Sequence, residues 1–306
     1  MKYVQLLYNP NSGDTSFTRK LDQAVERFSQ HGLNVMLFRS RHPKDMRFFF
    51  DTFTPASNCR AIVVSGGDGS INSVVSGMLK NNLTLPLGVI PSGTSNDFAE
   101  YLSMSNDLFS NIDIIARNKT QKIDAGTVNG EYFINVCSGG LLTAIAHSTN
   151  TGAKKIFGNL AYYLKAFGEI PGYTPMRLRI TTNSQVIEDK FCLFFALNGF
   201  RAGGFSLANA SADDGLIDLV AAKYMSLHEL IGMFIKVKSG KHLSDPRVYY
   251  LKEPYIKLEC LDGKEFISDI DGEQGPALPL EIGVCERTLD IIYNSEAGER
   301  KKLLVK

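Results

Sequence analysis

The chain has 306 residues, of which 44% are hydrophobic and 21% charged, and a formal net charge of +1. That length exceeds what one hydrophobic core usually serves, so two domains are expected, and a balance this close to neutrality excludes wholesale nucleic-acid binding. Five cysteines, at 59, 137, 192, 260 and 285, form no CxxC pair, which argues against a disulfide framework or zinc site and for a reducing compartment.

The N-terminal run is too short and soon too polar for a signal peptide, and no apolar run approaches the ~20 residues of a membrane span. Tyr3 to Leu7 predicts a first strand, followed by Asn9-Pro10-Asn11-Ser12-Gly13. Phe17, Leu21, Ala24, Val25 and Phe28 then form a helical stripe that Gly32 ends. A turn of this kind suits a phosphate cradle, although tightness alone would also select Gly and Ser. Val35 to Phe38 predicts a second strand, ending near Ser40, and Met46, Phe49, Phe50 and Phe53 sit at helical spacing; a helix packed on the sheet is the commoner reading, a lipid groove the other.

The densest signal lies between Ala61 and Ala99. The apolar run Ala61 to Ser65 breaks into Gly66-Gly67-Asp68-Gly69-Ser70, and Ile71, Val74, Val75, Met78 and Leu79 follow as one helix face. A further strand, Leu87 to Ile90, runs into Pro91-Ser92-Gly93-Thr94-Ser95-Asn96-Asp97-Phe98-Ala99. Two strand ends thus each deliver a Gly-rich turn with an aspartate in or just after it. In open α/β sheets ligands sit beyond such ends. Glycines let backbone approach a phosphate, and the N–H groups of a following helix start favour its charge. Carboxylates beside polyphosphate repel it unless a divalent cation lies between, which points to Mg²⁺ and a nucleotide. Leu108, Ile112 and Ile115 continue a last helix, so this half alternates strand and helix as a parallel α/β sheet does.

From Gln121 the pattern changes. Lys122–Val128 and Tyr132–Val136 flank Asn129-Gly130 as a hairpin, and Arg177–Thr182 with Gln185–Glu188 flank Asn183-Ser184 as another. Phe191–Leu197, Leu216–Ala222, Tyr255–Cys260 and Lys264–Ile270 predict further strands of an antiparallel sandwich. Helices are expected over roughly Ile156–Phe167 and from Ser226, with Glu229 completing a capping box, to Val237. Lys236, Lys238, Lys241, Arg247 and Lys252 cluster around Tyr249 and Tyr250; a solvated face is the commoner reading, contact with anionic headgroups the other.

Gly66–Ser70 followed by Pro91–Ala99 resembles the diacylglycerol-kinase catalytic domain, which soluble bacterial diacylglycerol kinases share with sphingosine and ceramide kinases. NAD kinases and phosphofructokinases carry similar versions of the first motif only. Asp124, Gly126, Phe133-Ile134-Asn135-Val136, Gly139-Gly140, Asp213-Asp214-Gly215-Leu216 and Ile270-Asp271-Gly272-Glu273 resemble that family's later elements. The resemblance implies an N-terminal α/β nucleotide-binding domain, residues 1–121, completed by a return at 295–306 that includes Leu303-Leu304-Val305, and a β-sandwich lipid-substrate domain over 122–294.

By the same resemblance Glu273 matches the general base, with Asp271 beside it, and Asp68 and Asp97 match a carboxylate–water–Mg²⁺ network. Asn9, Pro10, Asn11, Ser12 and Gly13 match a nucleotide-contact loop, Ser40 a hydroxyl near the nucleotide, and Gly66, Gly67, Asp68, Gly69, Ser70, Ile71, Asn72, Ser73, Gly93 and Thr94 further contacts. Asp214, with the carbonyls of Ile217 and Leu219, matches a structural metal site; Mg²⁺ and Ca²⁺ both accept such oxygens. Ser70 and Ser73 stand where many members have Thr and Glu, which leaves the preferred nucleotide open. On the residues alone, Asp271-Gly272-Glu273 is a β-turn with solvated acids, and Asp68 and Asp97 are helix caps.

The expected activity is transfer of phosphate from ATP, with Mg²⁺, to the hydroxyl of a membrane lipid, diacylglycerol first. Such an enzyme is expected in the cytoplasm, visiting the inner membrane face. Exposed sandwich edges commonly pair into homodimers, and the oligomeric state stays open. The competing readings are a kinase of a soluble alcohol, like NAD kinase, and a non-catalytic nucleotide or lipid sensor.

Overall fold

Strand β1 (Lys2–Tyr8) is buried along almost its whole length and lies parallel between β2 (Leu33–Arg39) and β3 (Cys59–Gly66). Strand β4 (Leu87–Pro91) pairs with β3, and the end of β17 (Leu280–Ile292) joins through Ile291 opposite Leu87. The order β2-β1-β3-β4-β17 is parallel throughout. It reverses direction between β1 and β3, where loops leaving the strand ends part to opposite faces and open a crevice. Strands covered on both faces are mostly apolar, which is why β1 and β3 are largely hydrophobic, Gln5 being a buried exception in β1.

The computed structural model describes residues 1–13, 15–42, 45–141, 175–199 and 201–297. Two compact units emerge: Met1–Ile123 with the chain from Arg287 onward, and Asp124–Glu286. The return to the first unit thus begins at Arg287, ahead of the expected 295, because Leu289, Ile291 and Ile292 bury there. The expected helix over 156–167 and the run 303–305 lie outside the described residues.

In the first unit the stripe from Phe17 to Phe28 is two helices, α1 (Ser16–Arg19) and α2 (Leu21–Gln30), because Lys20 (φ −105°, ψ 11°) leaves helical geometry and bonds to Phe17. Phe28 and Ala24 of α2 share a core with Ile112 and Ile115 of α6 (Leu108–Arg117). Arg27 clasps Asp113 at 2.8 and 2.7 Å between these helices. On α4 (Asp68–Lys80), Gly77 is the seat of Phe50: a Cβ would lie 2.3 Å from that ring. The aromatic run is therefore packing, carried by a short helix, α3 (Asp45–Phe48), and a 3₁₀ turn instead of one long helix.

The second unit is antiparallel. Strands β5 (Thr120–Val128) and β6 (Glu131–Phe133) form the expected hairpin, with positive φ at both Asn129 and Gly130. The second arm stops at Phe133, short of Val136, and β7 (Val136–Gly140) leaves to pair with β9 (Val186–Leu197) and β15 (Ile267–Ile270). β9 is one strand where two were expected, pairing with β8 (Met176–Thr182) and β12 (Ile217–Lys223), while β10 (Arg201–Ala202) and β11 (Phe205–Ser206) pair with each other. β13 (Val248–Glu253), read from sequence only as a basic stretch, pairs with β12. β14 (Tyr255–Cys260) and β16 (Glu273–Ala277) complete a β-sandwich around Phe133, Leu178, Phe194, Leu219 and Ile256. The helix Leu227–Lys238, α7 here, starts at Ser226 with both capping-box bonds formed.

Candidate functional site

Three Gly-rich turns meet at the carboxyl ends of β1, β3 and β4. The Asn9 N–H bonds to Ser65, the Asn9 side chain accepts the N–H of Asn11 at 3.0 Å, and the chain doubles back to Gly13 at φ +56°. A Cβ on Gly13 would lie 2.2 Å from the Ser92 carbonyl oxygen, and one on Gly93 2.4 Å from the Gly67 Cα. The turns therefore touch backbone to backbone, leaving no room for side chains between them. Asn96 locks the third turn, accepting from Gly93 N at 2.8 Å and donating to its carbonyl at 3.0 Å. Ser40 also belongs here: its N–H and hydroxyl both reach the Tyr8 carbonyl.

Asp68 opens α4 after Gly67, yet its carboxylate caps a different helix. It accepts the N–H of Asp97 at 3.3 Å and of Phe98 at 3.0 Å, the first residues of α5 (Asp97–Tyr101). Asp68 is thus a helix cap, but one that crosses between the two motifs and fixes them to one another. Asp97 is buried, and Thr94 and Gly13 are exposed. Ile71 is fully buried and Pro10 is buried; those side chains serve packing, so only their backbones remain to face a ligand. Asn72 carries a buried side-chain oxygen without a partner.

In the second unit, Ile270-Asp271-Gly272-Glu273 is a two-residue hairpin between β15 and β16, with φ +49° at Asp271 and +88° at Gly272. The β-turn reading holds, but the acids are not both solvated. Asp271 is buried and accepts the N–H groups of Ile134, Asn135 and Val136 at 2.7, 3.0 and 2.9 Å. Those bonds end β6 early. They also make Asp271 a backbone clamp. Glu273 is exposed.

Asp214, expected to hold a structural metal with the carbonyls of Ile217 and Leu219, precedes β12. Leu219 lies inside β12 with paired neighbours on both sides, while Ile217, at the start of the strand, is paired with Glu253 of β13. The Lys252 ammonium stands 3.6 Å from Asp214 and 3.3 Å from Asp218, supplying the positive charge itself. Among the described residues no cluster of three or more His, Cys, Asp or Glu could hold a metal. Asp218 is fully buried, and burial raises its pKa against the opposing effect of the Tyr250 hydroxyl and Lys252.

Sequence reasoning passed over Asn198. It is fully buried after β9 and donates to the carbonyls of Asp124 and Ile134 at 3.1 and 3.0 Å, tying both to the corner that Asp271 clamps. Its one signal was an Asn-Gly pair closing an apolar run. None of the five cysteines forms a disulfide, and burial pushes the Cys192 thiol up to about 12.

Comparison with known proteins agrees with these features. Residues 3–128 match the model of the diacylglycerol kinase catalytic domain, and residues 135–293 that of the YegS C-terminal NAD kinase beta sandwich-like domain. A Staphylococcus aureus (strain bovine RF122 / ET3-1) protein named diacylglycerol kinase is 32% identical, covering 95% of this chain and 92% of its own. One of the same name from Bacillus subtilis (strain 168) is 30% identical, covering 98% and 99%. A crystal structure of a diacylglycerol kinase from Bacillus anthracis str. Sterne shares the fold, with TM-score 0.73 and 22% identity over 96% of this chain and 98% of that one. A second structure from that organism reaches TM-score 0.80 at 23% identity, covering 97% and 98%.

Fold and motifs together define a phosphotransferase with an alcohol group as acceptor. The chain belongs to the diacylglycerol kinase family of lipid kinases. No helix among the described residues is long and apolar enough to cross a membrane.

Proposed function

We propose that the chain transfers the γ-phosphoryl group of ATP, with Mg²⁺, to the free hydroxyl of diacylglycerol, giving ADP and phosphatidic acid. The observation that carries this reading is the backbone-to-backbone meeting of the Gly13, Gly67 and Gly93 turns at the switch point of the first unit. A cradle that a single Cβ would fill suits a phosphate chain. The adjoining start of α4, where the N-cap Gly67 makes no side-chain cap bond, favours negative charge.

Asp68 and Asp97 suit Mg²⁺ in donor chemistry, being carboxylates at the rim of that cradle. Held there, Mg²⁺ would supply positive charge against the phosphate oxygens. Asp68 also fixes α5 against the cradle, so both aspartates are positioned before ligand arrives. Asn9, Asn11, Ser12, Ser40, Ser70 and Thr94 supply polar groups around the nucleotide. Glu273 is the base: its carboxylate takes the proton of the acceptor hydroxyl while that oxygen bonds to phosphorus. Its exposure lets it meet a substrate that arrives from a membrane.

Incubation of the protein with γ-labelled ATP and diacylglycerol in mixed micelles tests the assignment. Label in phosphatidic acid, dependent on Mg²⁺, is the expected result. Label appearing only in another lipid or in a soluble alcohol would overturn the acceptor, and nucleotide turnover without any labelled alcohol would overturn the kinase.

A further inference from the structure

We propose that the outer face of α7, from Ile231 through Lys241, is the surface by which the second unit docks on an anionic lipid bilayer. The inference rests on the lipid-acceptor reading above, which brings the chain to a bilayer but does not say by which face.

A helix on a sandwich needs one apolar face, and α7 has it. Leu230 and Met233 pack on Cys192, Ala222 and Met225, while Val237 joins a neighbouring cluster. That satisfies the helix without Ile235, which points away and is 61% exposed. Ile231, one turn earlier on the same side, is half-buried. A single exposed isoleucine needs no explanation on a soluble protein; its electrostatic setting does.

The acids near this face are already neutralised. Asp245, almost wholly buried, holds Lys236 at 2.6 Å and Arg247 at 2.9 Å, and Glu229 is taken by Ser226 and Arg247. These contacts hold the Asp245 carboxyl well below the usual range, so it stays charged and keeps both cations. Lys238 and Lys241 remain exposed; the Lys238 ammonium stands 5.3 Å from the Phe234 ring centre, and Lys241 has no side-chain partner among the described residues. The face therefore offers an apolar residue flanked by uncompensated positive charge. A bilayer with anionic headgroups over hydrocarbon complements both features at once.

The test is cosedimentation of the full chain with phosphatidylcholine vesicles, with and without phosphatidylglycerol. Wild type is expected to bind only the anionic vesicles, and less so as salt rises. Lys238→Gln with Lys241→Gln should weaken binding about thirtyfold, and Ile235→Ser about tenfold. Both variants should keep wild-type unfolding midpoints and wild-type turnover of diacylglycerol in detergent micelles. Equal vesicle binding by variants and wild type, or no binding by wild type, overturns the proposal. Binding that follows these variants in a protein without lipid kinase activity would sustain the surface and remove the functional reading instead.

Discussion

Asp68 has two tasks that separate on substitution. Asp68→Asn should cost about 1 kcal/mol of stability through the weakened cap of α5, yet lower kcat by about a hundredfold or more through lost charge beside the phosphates. Urea unfolding alongside steady-state rates checks both; a rate loss no larger than the stability loss explains would leave Asp68 a cap alone. Glu273→Gln should behave differently. The side chain is exposed, so stability should stay within about 0.5 kcal/mol, while kcat falls by about a hundredfold or more with the KM for ATP unchanged. Asp271→Asn forms the contrast: its buried carboxylate serves three backbone N–H groups, so unfolding free energy should drop by about 2 kcal/mol. An Asp271→Asn protein as stable as wild type would refute the clamp.

At the scale of the element, the loops at the ends of β1, β3 and β4 are limited by space. Gly93 does not have positive φ, so Gly93→Ala tests contact alone. Its methyl carbon would meet the Gly67 backbone at 2.4 Å and must push the two turns apart. The expected result is a KM for ATP raised about tenfold, with about 1–3 kcal/mol lost in stability; unchanged ATP binding by calorimetry would detach the cradle from the nucleotide. Gly77 is a control of the same kind on α4, since alanine there collides with Phe50 away from the cradle and should lower stability without raising that KM.

For the whole molecule, the clearest pH-linked contribution comes from Asp245. Arg247 and Lys236 depress its folded pKa below the unfolded value of ~3.9. The stabilisation it brings is therefore present above pH ~4 and is lost as pH falls through the folded pKa. Asp245→Asn should lower stability by about 2 kcal/mol at pH 7, with the gap to wild type closing on acidification below pH ~4. Urea titrations at neutral and acid pH measure this. A gap that widens in acid would reverse the linkage.

Much of the first unit was legible because its signals are local. Buried parallel strands are mostly apolar, phosphate turns must be small, and Ile71, Val74, Val75 and Met78 could only line one face of a helix. The hairpin at Asn129-Gly130 and the turn at Asp271-Gly272 were visible for the same reason: positive φ at two successive positions selects those residue pairs. The sequence alone thus determined where strands end in glycine, where α7 begins, and which acids stand near the turns. It did not determine what each acid touches. That Asp68 caps α5, that Asp271 clamps residues 134–136 and so shortens β6, and that Lys252 stands beside Asp214 and Asp218 were all decided by tertiary structure. A carboxylate's role depends on which donors distant parts of the chain bring within about 3 Å of it, and a local pattern holds no record of that distance.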